Sequence, residues 1–335
     1  MRPEGIRVVA VGVVLAMLSV ACGSTPPSQA VASAPASQAA SVAPSAAAPA
    51  TPAQTAAPTA APSVAIASPA PTPDPAKPAF ADFDPAMFSN GSNITNPWMP
   101  LRPGRRWIWD GVTLEGGERI SHRINFTVTD LVKRIAGVDT RVAYVEDISD
   151  HQLIEVEIAF YAQDDAGTVW YFGEHPEELE EGKVVNAPTW LAGLAGAKPG
   201  IKMFADPASH TQAWYQGWGP AVEWSDFGRI DATGLKDCVK YACYQDVVRF
   251  AESSLGEDGI FQLKSYARGT GEIRTGWRGK ADSREELQLI SVAALRGERL
   301  AMIRSQALAL EKSAYKLSPK VYGTTSRMQI GLQGP

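Results

Sequence analysis

The sequence predicts a mainly β protein: a large antiparallel curved sheet or half-barrel meander, followed by one C-terminal amphipathic helix. Three observations carry this. The dominant hydrophobic period after residue 80 is two, short Gly- and Asp-rich turns separate the alternating runs, and one stretch of helical period lies near the end. Strands joined by loops this short must be antiparallel, because a parallel return needs a long crossover.

The strand candidates run in order along the chain. Arg106–Asp110 comes first, then His122–Asp130, with Ile124, Phe126 and Val128 on one face and Arg123, Asn125, Thr127 and Thr129 on the other. Thr140–Ile148 follows. In the next candidate Ile154, Val156, Ile158 and Phe160 alternate with Glu155, Glu157 and Ala159. Thr168–Gly173, Ala221–Ile230, Tyr244–Ala251, Ile260–Ala267, Gly271–Trp277 and Glu286–Val292 complete the series. Turn chemistry at Gly116-Gly117, Asp164-Asp165-Ala166-Gly167, Gly256-Glu257-Asp258-Gly259 and Gly269-Thr270-Gly271 separates them.

The helix spans about Arg296–Lys316, rich in Ala, Leu, Glu, Arg and Met, and Pro319 cannot continue it. Leu300, Ile303, Ala307, Leu310 and Ala314 recur every three or four residues. A helix of this length after a curved sheet most simply plugs the concave face. The alternatives are that it packs outside or docks onto a partner.

The N-terminal segment has another character. Arg2 and Arg7 precede an apolar run from Val8 to Val20, and Leu18-Ser19-Val20-Ala21 leads directly into Cys22. A basic start, a short apolar core and a small residue before the cut describe an export signal; a membrane span needs about 20 apolar residues. The segment resembles a bacterial lipoprotein signal, with Ser19 where that family usually places Leu. The resemblance implies cleavage before Cys22, acylation of Cys22 and attachment to the membrane on the extracytoplasmic side. Residues 1–21 are then the signal. Residues 22–79 are an Ala/Pro/Ser-rich disordered tether, and 80–335 form one β-rich globular domain.

In the tether, repeated prolines prevent helix propagation and no apolar face exists to offset ordering entropy. As a polyproline-like stalk it reaches at most ~3.1 Å per residue, on the order of 170 Å. The chain carries a net charge of −5, and removal of the signal takes away two Arg and one Glu, leaving −6. That balance argues against nucleic acid as a partner.

Several segments resemble an uncharacterised family of secreted bacterial proteins. They are Asn96-Pro97-Trp98-Met99-Pro100-Leu101-Arg102-Pro103-Gly104, Gln163-Asp164-Asp165-Ala166-Gly167-Thr168-Val169-Trp170-Tyr171-Phe172-Gly173-Glu174, Gly196–Met203 and Lys264–Gly271. The family brings no known activity. The layout is also similar to the half-barrel of Lol-type lipoprotein carriers, a curved sheet around helices that can hold acyl chains.

Few residues announce chemistry. Asp164, Asp165 and Glu174 flank a hairpin beside Trp170 and Tyr171; they read either as an acidic site or, for Asp-Asp-Ala-Gly, as good turn chemistry. His122, His151, His175 and His210 show no metal-ligand spacing, and no nucleophile elbow, phosphate loop or dinucleotide fingerprint is present. No cofactor or metal is expected.

Trp214-Tyr215-Gln216-Gly217-Trp218 offers flat amphipathic faces suited to an apolar tail or a glycan, or else packs in the core. Cys238 and Cys243 form an even pair for an oxidising compartment. In one extended strand they would stand roughly 16 Å apart, so a disulfide requires Val239–Ala242 to turn back. Two function classes follow: a tethered module binding an apolar or glycan ligand, and an envelope scaffold whose cavity its own helix fills. A hydrolase-like enzyme is third.

Overall fold

The computed structural model describes residues 77–331. Cys22, the signal and the tether expected before residue 77 lie outside the described residues.

Five long strands follow one another as a meander: β1 (Arg105–Glu115), β2 (Glu118–Ile135), β3 (Val138–Ser149), β4 (Gln152–Gln163) and β5 (Val169–Glu180). Shorter strands come next: β6 (Lys183–Asn186), β7 (Trp190–Leu191), β8 (Lys198–Met203), β9 (Trp214–Tyr215) and β10 (Gly217–Trp218). A second meander comprises β11 (Phe227–Cys238), β12 (Cys243–Ser253), β13 (Phe261–Ala267), β14 (Gly271–Arg278) and β15 (Ser283–Ala294). Helices α1 (Glu298–Leu317) and α2 (Pro319–Tyr322) and the two-residue β16 (Gln329–Ile330) end the described chain.

The sheet order is β10-β8-β5-β4-β3-β2-β1-β15-β14-β13-β12-β11-β9, with every named strand pair antiparallel. Its two ends, β9 and β10, are separated in the chain by Gln216 alone. Tyr215 pairs with Phe227 on one side and Gly217 with Pro199 on the other, so this aromatic segment is the seam of a nearly closed barrel.

The alternating segments of the sequence become the long strands, with one displacement. The strand expected over Ala221–Ile230 starts only at Phe227 and continues to Cys238. Before it, Pro220–Val222 forms a single 3-10 turn and Glu223 takes a left-handed conformation, φ 59°. Strands β6 to β10 and β16 are too short to show a period. Cys238 and Cys243 form a disulfide across the β11–β12 hairpin, where Val239 N–H donates to the Ala242 carbonyl at 2.9 Å and turns the chain back.

The helix occupies the face opposite to the one expected. Residues directly opposed across an antiparallel pair share a face. Glu157 lines the barrel interior, so its neighbours Val156 and Ile158 look outward, as do their partners Glu177 and His175 on β5. Those outward groups meet the helices: Ser313 of α1 bonds the Glu177 carboxylate, and the Tyr322 ring of α2 packs edge-on against His175.

Two ion pairs fix α1 to the outside of β2. Arg304 forks onto Asp130 at 2.8 and 2.7 Å, and Lys133 donates to Glu311 at 2.9 Å with both side chains buried. The expectation that α1 plugs the concavity therefore fails, for a physical reason. The inner face of β4 and β5 carries carboxylates, which an apolar helical stripe would bury unpaired at high cost. The outer face offers Ile154, Val156, Ile158 and Phe160.

Glu311 is the keystone of that docking, because it also accepts the Met328 N–H at 2.9 Å while Lys133 also reaches the Ser326 carbonyl at 2.6 Å. Glu311→Ala strands a buried ammonium and should lower unfolding free energy by about 3–5 kcal/mol. The double variant Lys133→Met/Glu311→Leu should recover most of that loss in urea denaturation. Equal destabilisation by single and double variants would show that the pair does not hold the helix.

Candidate functional site

The inner wall follows from register. Phe126 on β2 opposes Trp107 on β1 and Val145 on β3, and Val145 opposes Glu157 on β4; all four line one central cavity of about 140 Å3. Across four neighbouring strands the wall thus passes from aromatic to acidic. The next inward row pairs Asp147 with Glu155. On the far side Lys202, Gln262, Lys264, Glu272 and Glu285 also reach the cavity.

A bulge completes the acidic side. Phe160 opposes Gly173 while Tyr161 opposes Tyr171, so Phe172 is an extra residue on β5. Tyr171 and Glu174 would otherwise face opposite ways; the extra residue turns both inward. Glycine is required at the bulge: φ is 123°, and a Cβ on Gly173 would lie 2.2 Å from the Trp190 carbonyl oxygen. The Tyr171 hydroxyl donates a short bond to Glu174 and also lies 3.3 Å from Glu157, while the Trp190 indole N–H reaches Glu174 at 3.3 Å.

The cations inside are already engaged. Lys202 and Lys264 both contact Glu252, at 3.4 and 3.1 Å, and Gln216 donates to the same carboxylate at 2.7 Å. Burial raises the Glu252 pKa, but the two lysines outweigh it and hold the group at about 2. His122 lies 2.8 Å from Asp147 and 3.8 Å from Glu285. Burial lowers the His122 pKa, yet its acidic partners outweigh that and raise it.

The remaining acids get less help: Lys202, Lys264 and His122 attract them, but burial outweighs that attraction. Burial pushes Glu157 up to about 7; burial together with the neighbouring Glu157 pushes Glu174 up to about 8; burial lifts Glu285 and Asp226 to about 7. Glu155 rises well above the ordinary carboxyl range through burial and then through Glu157 and Asp147. Glu155 is 7% exposed and makes no hydrogen bond or ion pair among the described residues. Trp224, another cavity wall, has an indole N–H with no acceptor.

Of the residues singled out in the sequence, Tyr171 and Glu174 reach this cavity. Asp164 and Asp165 do not join them. Asp164 accepts the Thr168 N–H and the Trp170 indole N–H, each at 2.8 Å; Asp165 accepts the Ser89 N–H at 3.0 Å and the Ser89 hydroxyl at 2.6 Å. They are turn and clamp residues that hold the chain around Ser89 against the β4–β5 hairpin. Trp170 packs on that outer side with Phe83 and Phe88.

Trp214 is buried in the seam, donating to the Ile201 carbonyl at 2.9 Å, while Tyr215 and Trp218 pack on Phe80. Sequence reasoning missed Glu155, Glu157, Glu252, Lys202, Lys264 and Trp224. The one available signal was the polar row of β4 standing opposite an apolar row, and alternation alone does not say which row faces inward. Among the described residues no group of three or more His, Cys, Asp or Glu is arranged to hold a metal ion.

No family model and no curated protein matches the sequence. Three solved structures are similar to it at low identity. A candidate exported protein of Bacteroides fragilis with a YmcC-like fold has 10% identity and a TM-score of 0.36, covering 58% of this chain and 98% of its own. A candidate lipoprotein of Parabacteroides distasonis has 9% identity and a TM-score of 0.31, covering 59% and 99%. A beta-barrel-like protein of a domain of unknown function from Brucella abortus has 13% identity and a TM-score of 0.30, covering 57% and 98%.

The raised carboxyls set the sign of pH dependence. Between the ordinary carboxyl range and about pH 8 the folded state binds more protons than the unfolded one, so stability falls as pH rises. His122, also raised, loses its contribution in the same direction. Glu252, held at about 2, opposes this only as pH falls below the ordinary carboxyl range. Thermal unfolding should therefore show greatest stability near about pH 5 and a loss of roughly 2 kcal/mol or more by about pH 8.5. A flat or rising profile over that range would contradict the raised values.

Proposed function

We propose that this chain is an extracytoplasmic binding protein, lipid-anchored through Cys22 and held on a stalk, whose barrel interior receives a small single-ring solute. The observation that carries the reading is the central cavity, which α1 leaves free by packing outside, and whose wall pairs aromatic faces with Glu155, a carboxyl group lacking a partner among the described residues. A cavity near 150 Å3 is large enough for one ring such as benzene. An acyl chain exceeds that size and would bring no hydrogen bond to Glu155, so a polar ring fits better than an apolar tail. The scaffold reading needed the helix inside, and that arrangement is absent. Export is supported by the signal-like N-terminus and by the Cys238–Cys243 disulfide, which suits an oxidising compartment.

A thermal-shift screen of single-ring sugars, alcohols and amines tests this. A ligand at a hundred times its Kd stabilises by about 2.7 kcal/mol, a shift of a few degrees for a domain this size. Val145→Phe, which places a ring in the cavity, should abolish the shift while the protein still melts cooperatively. Equal shifts in wild type and variant would move binding elsewhere, and no shift with any solute would contradict the reading.

A further inference from the structure

We infer that the solute taken by this cavity is a single-ring organic cation, a protonated amine whose ammonium sits among Glu155, Glu157 and Glu174. This rests on the reading that the barrel interior binds a small solute, and it adds the ligand's charge.

Charge pairing within the barrel points to it. Lys202 and Lys264 share Glu252, and His122 lies against Asp147, so the interior cations make their direct ion pairs elsewhere and act on Glu157 and Glu174 only through longer-range attraction, which burial outweighs. Glu157 and Glu174 share one hydroxyl, that of Tyr171, which has a single proton to donate. One of the two carboxylates is therefore left needing a proton or a cation. Their raised pKa values, about 7 and about 8, are the response of such a pair when protons fill the gap.

A second observation is independent of that pair. Glu155 is more than nine-tenths buried, lines the same cavity and makes no hydrogen bond or ion pair among the described residues. A structural carboxylate at that depth would be hydrogen-bonded or paired. An ammonium offers three donors, enough for one bond to each glutamate. On the other side of the cavity Trp107, Trp109 and Phe126 present the aromatic surface on which the ligand ring, or the charge itself, would rest.

Titration calorimetry at pH 8 on the purified protein separates charge from shape. The probes are benzylamine against benzyl alcohol and cyclohexylamine against cyclohexanol, isosteric pairs that differ in charge, with glucose as a neutral hydroxyl-rich ring. Each amine should bind about tenfold or more tightly than its alcohol. Glu155→Gln and Glu157→Gln should each cut amine affinity by a comparable factor and leave alcohol affinity unchanged. Both variants remove negative charge from an acid-rich interior, so each should melt no lower than wild type at this pH, which guards against misfolding as the cause. If an alcohol or glucose binds as tightly as the amines, the cationic assignment is overturned while the binding reading survives. If none of the five probes binds, both are overturned.

Discussion

The barrel encloses more carboxylates than it has cations to match them. Burying a charge is costly unless it is paired, so a fold that keeps Glu155, Glu157, Glu174, Glu272 and Glu285 around one cavity must neutralise them by protons, by partners or by a ligand. Partners cover part of the set: Gln262 donates to Glu285 at 2.8 Å and Thr275 to Glu272 at 2.7 Å. On the β4–β5 side the hydrogen-bond donors to Glu157 and Glu174 among the described residues are Tyr171 and Trp190, and Lys202 and Lys264 act only at longer range. That deficit shapes the molecule's pH behaviour and its candidate function.

The same constraint explains the arrangement of the larger elements. With carboxylates inside, α1 has its apolar partner surface on the outer face, and it is fixed there by Lys133–Glu311 and Arg304–Asp130. The seam closes the barrel with Trp214 buried and Gln216 turned to Glu252, so the segment joining the two ends of the sheet also holds the interior lysine network through Lys202. The β5 bulge at Phe172-Gly173 brings Tyr171 and Glu174 to one side. Wall, bulge and helix position are consequences of one distribution of polar side chains.

Much of this architecture was legible in the sequence. Period two in His122–Asp130 and in Ile154–Phe160 gave strands, the short turns gave antiparallel order, and the three-to-four spacing from Leu300 to Ala314 gave α1. What period two does not supply is which face looks inward. On β2 the apolar row containing Ile124 and Phe126 lines the cavity, whereas on β4 the acidic row of Glu155 and Glu157 does so. Both faces of β4 are buried, one by the barrel and one by helices, and alternation alone cannot distinguish that from a strand with one wet face. The bulge was equally hidden, since Trp170-Tyr171-Phe172-Gly173-Glu174 reads as unbroken strand until pairing with β4 shows the extra residue. Asp164 and Asp165 were legible as turn chemistry, and the structure gives them turn and clamp bonds.

The most direct measurement is a carbon-13 NMR titration of the glutamate side-chain carboxyls in the unliganded protein, assigned through Glu155→Gln, Glu157→Gln and Glu174→Gln. The Glu157–Glu174 pair should titrate in two coupled steps near about 7 and 8, with Glu155 also well above the ordinary range. Titration of all three below about pH 5, in the ordinary carboxyl range, would contradict an interior short of positive charge.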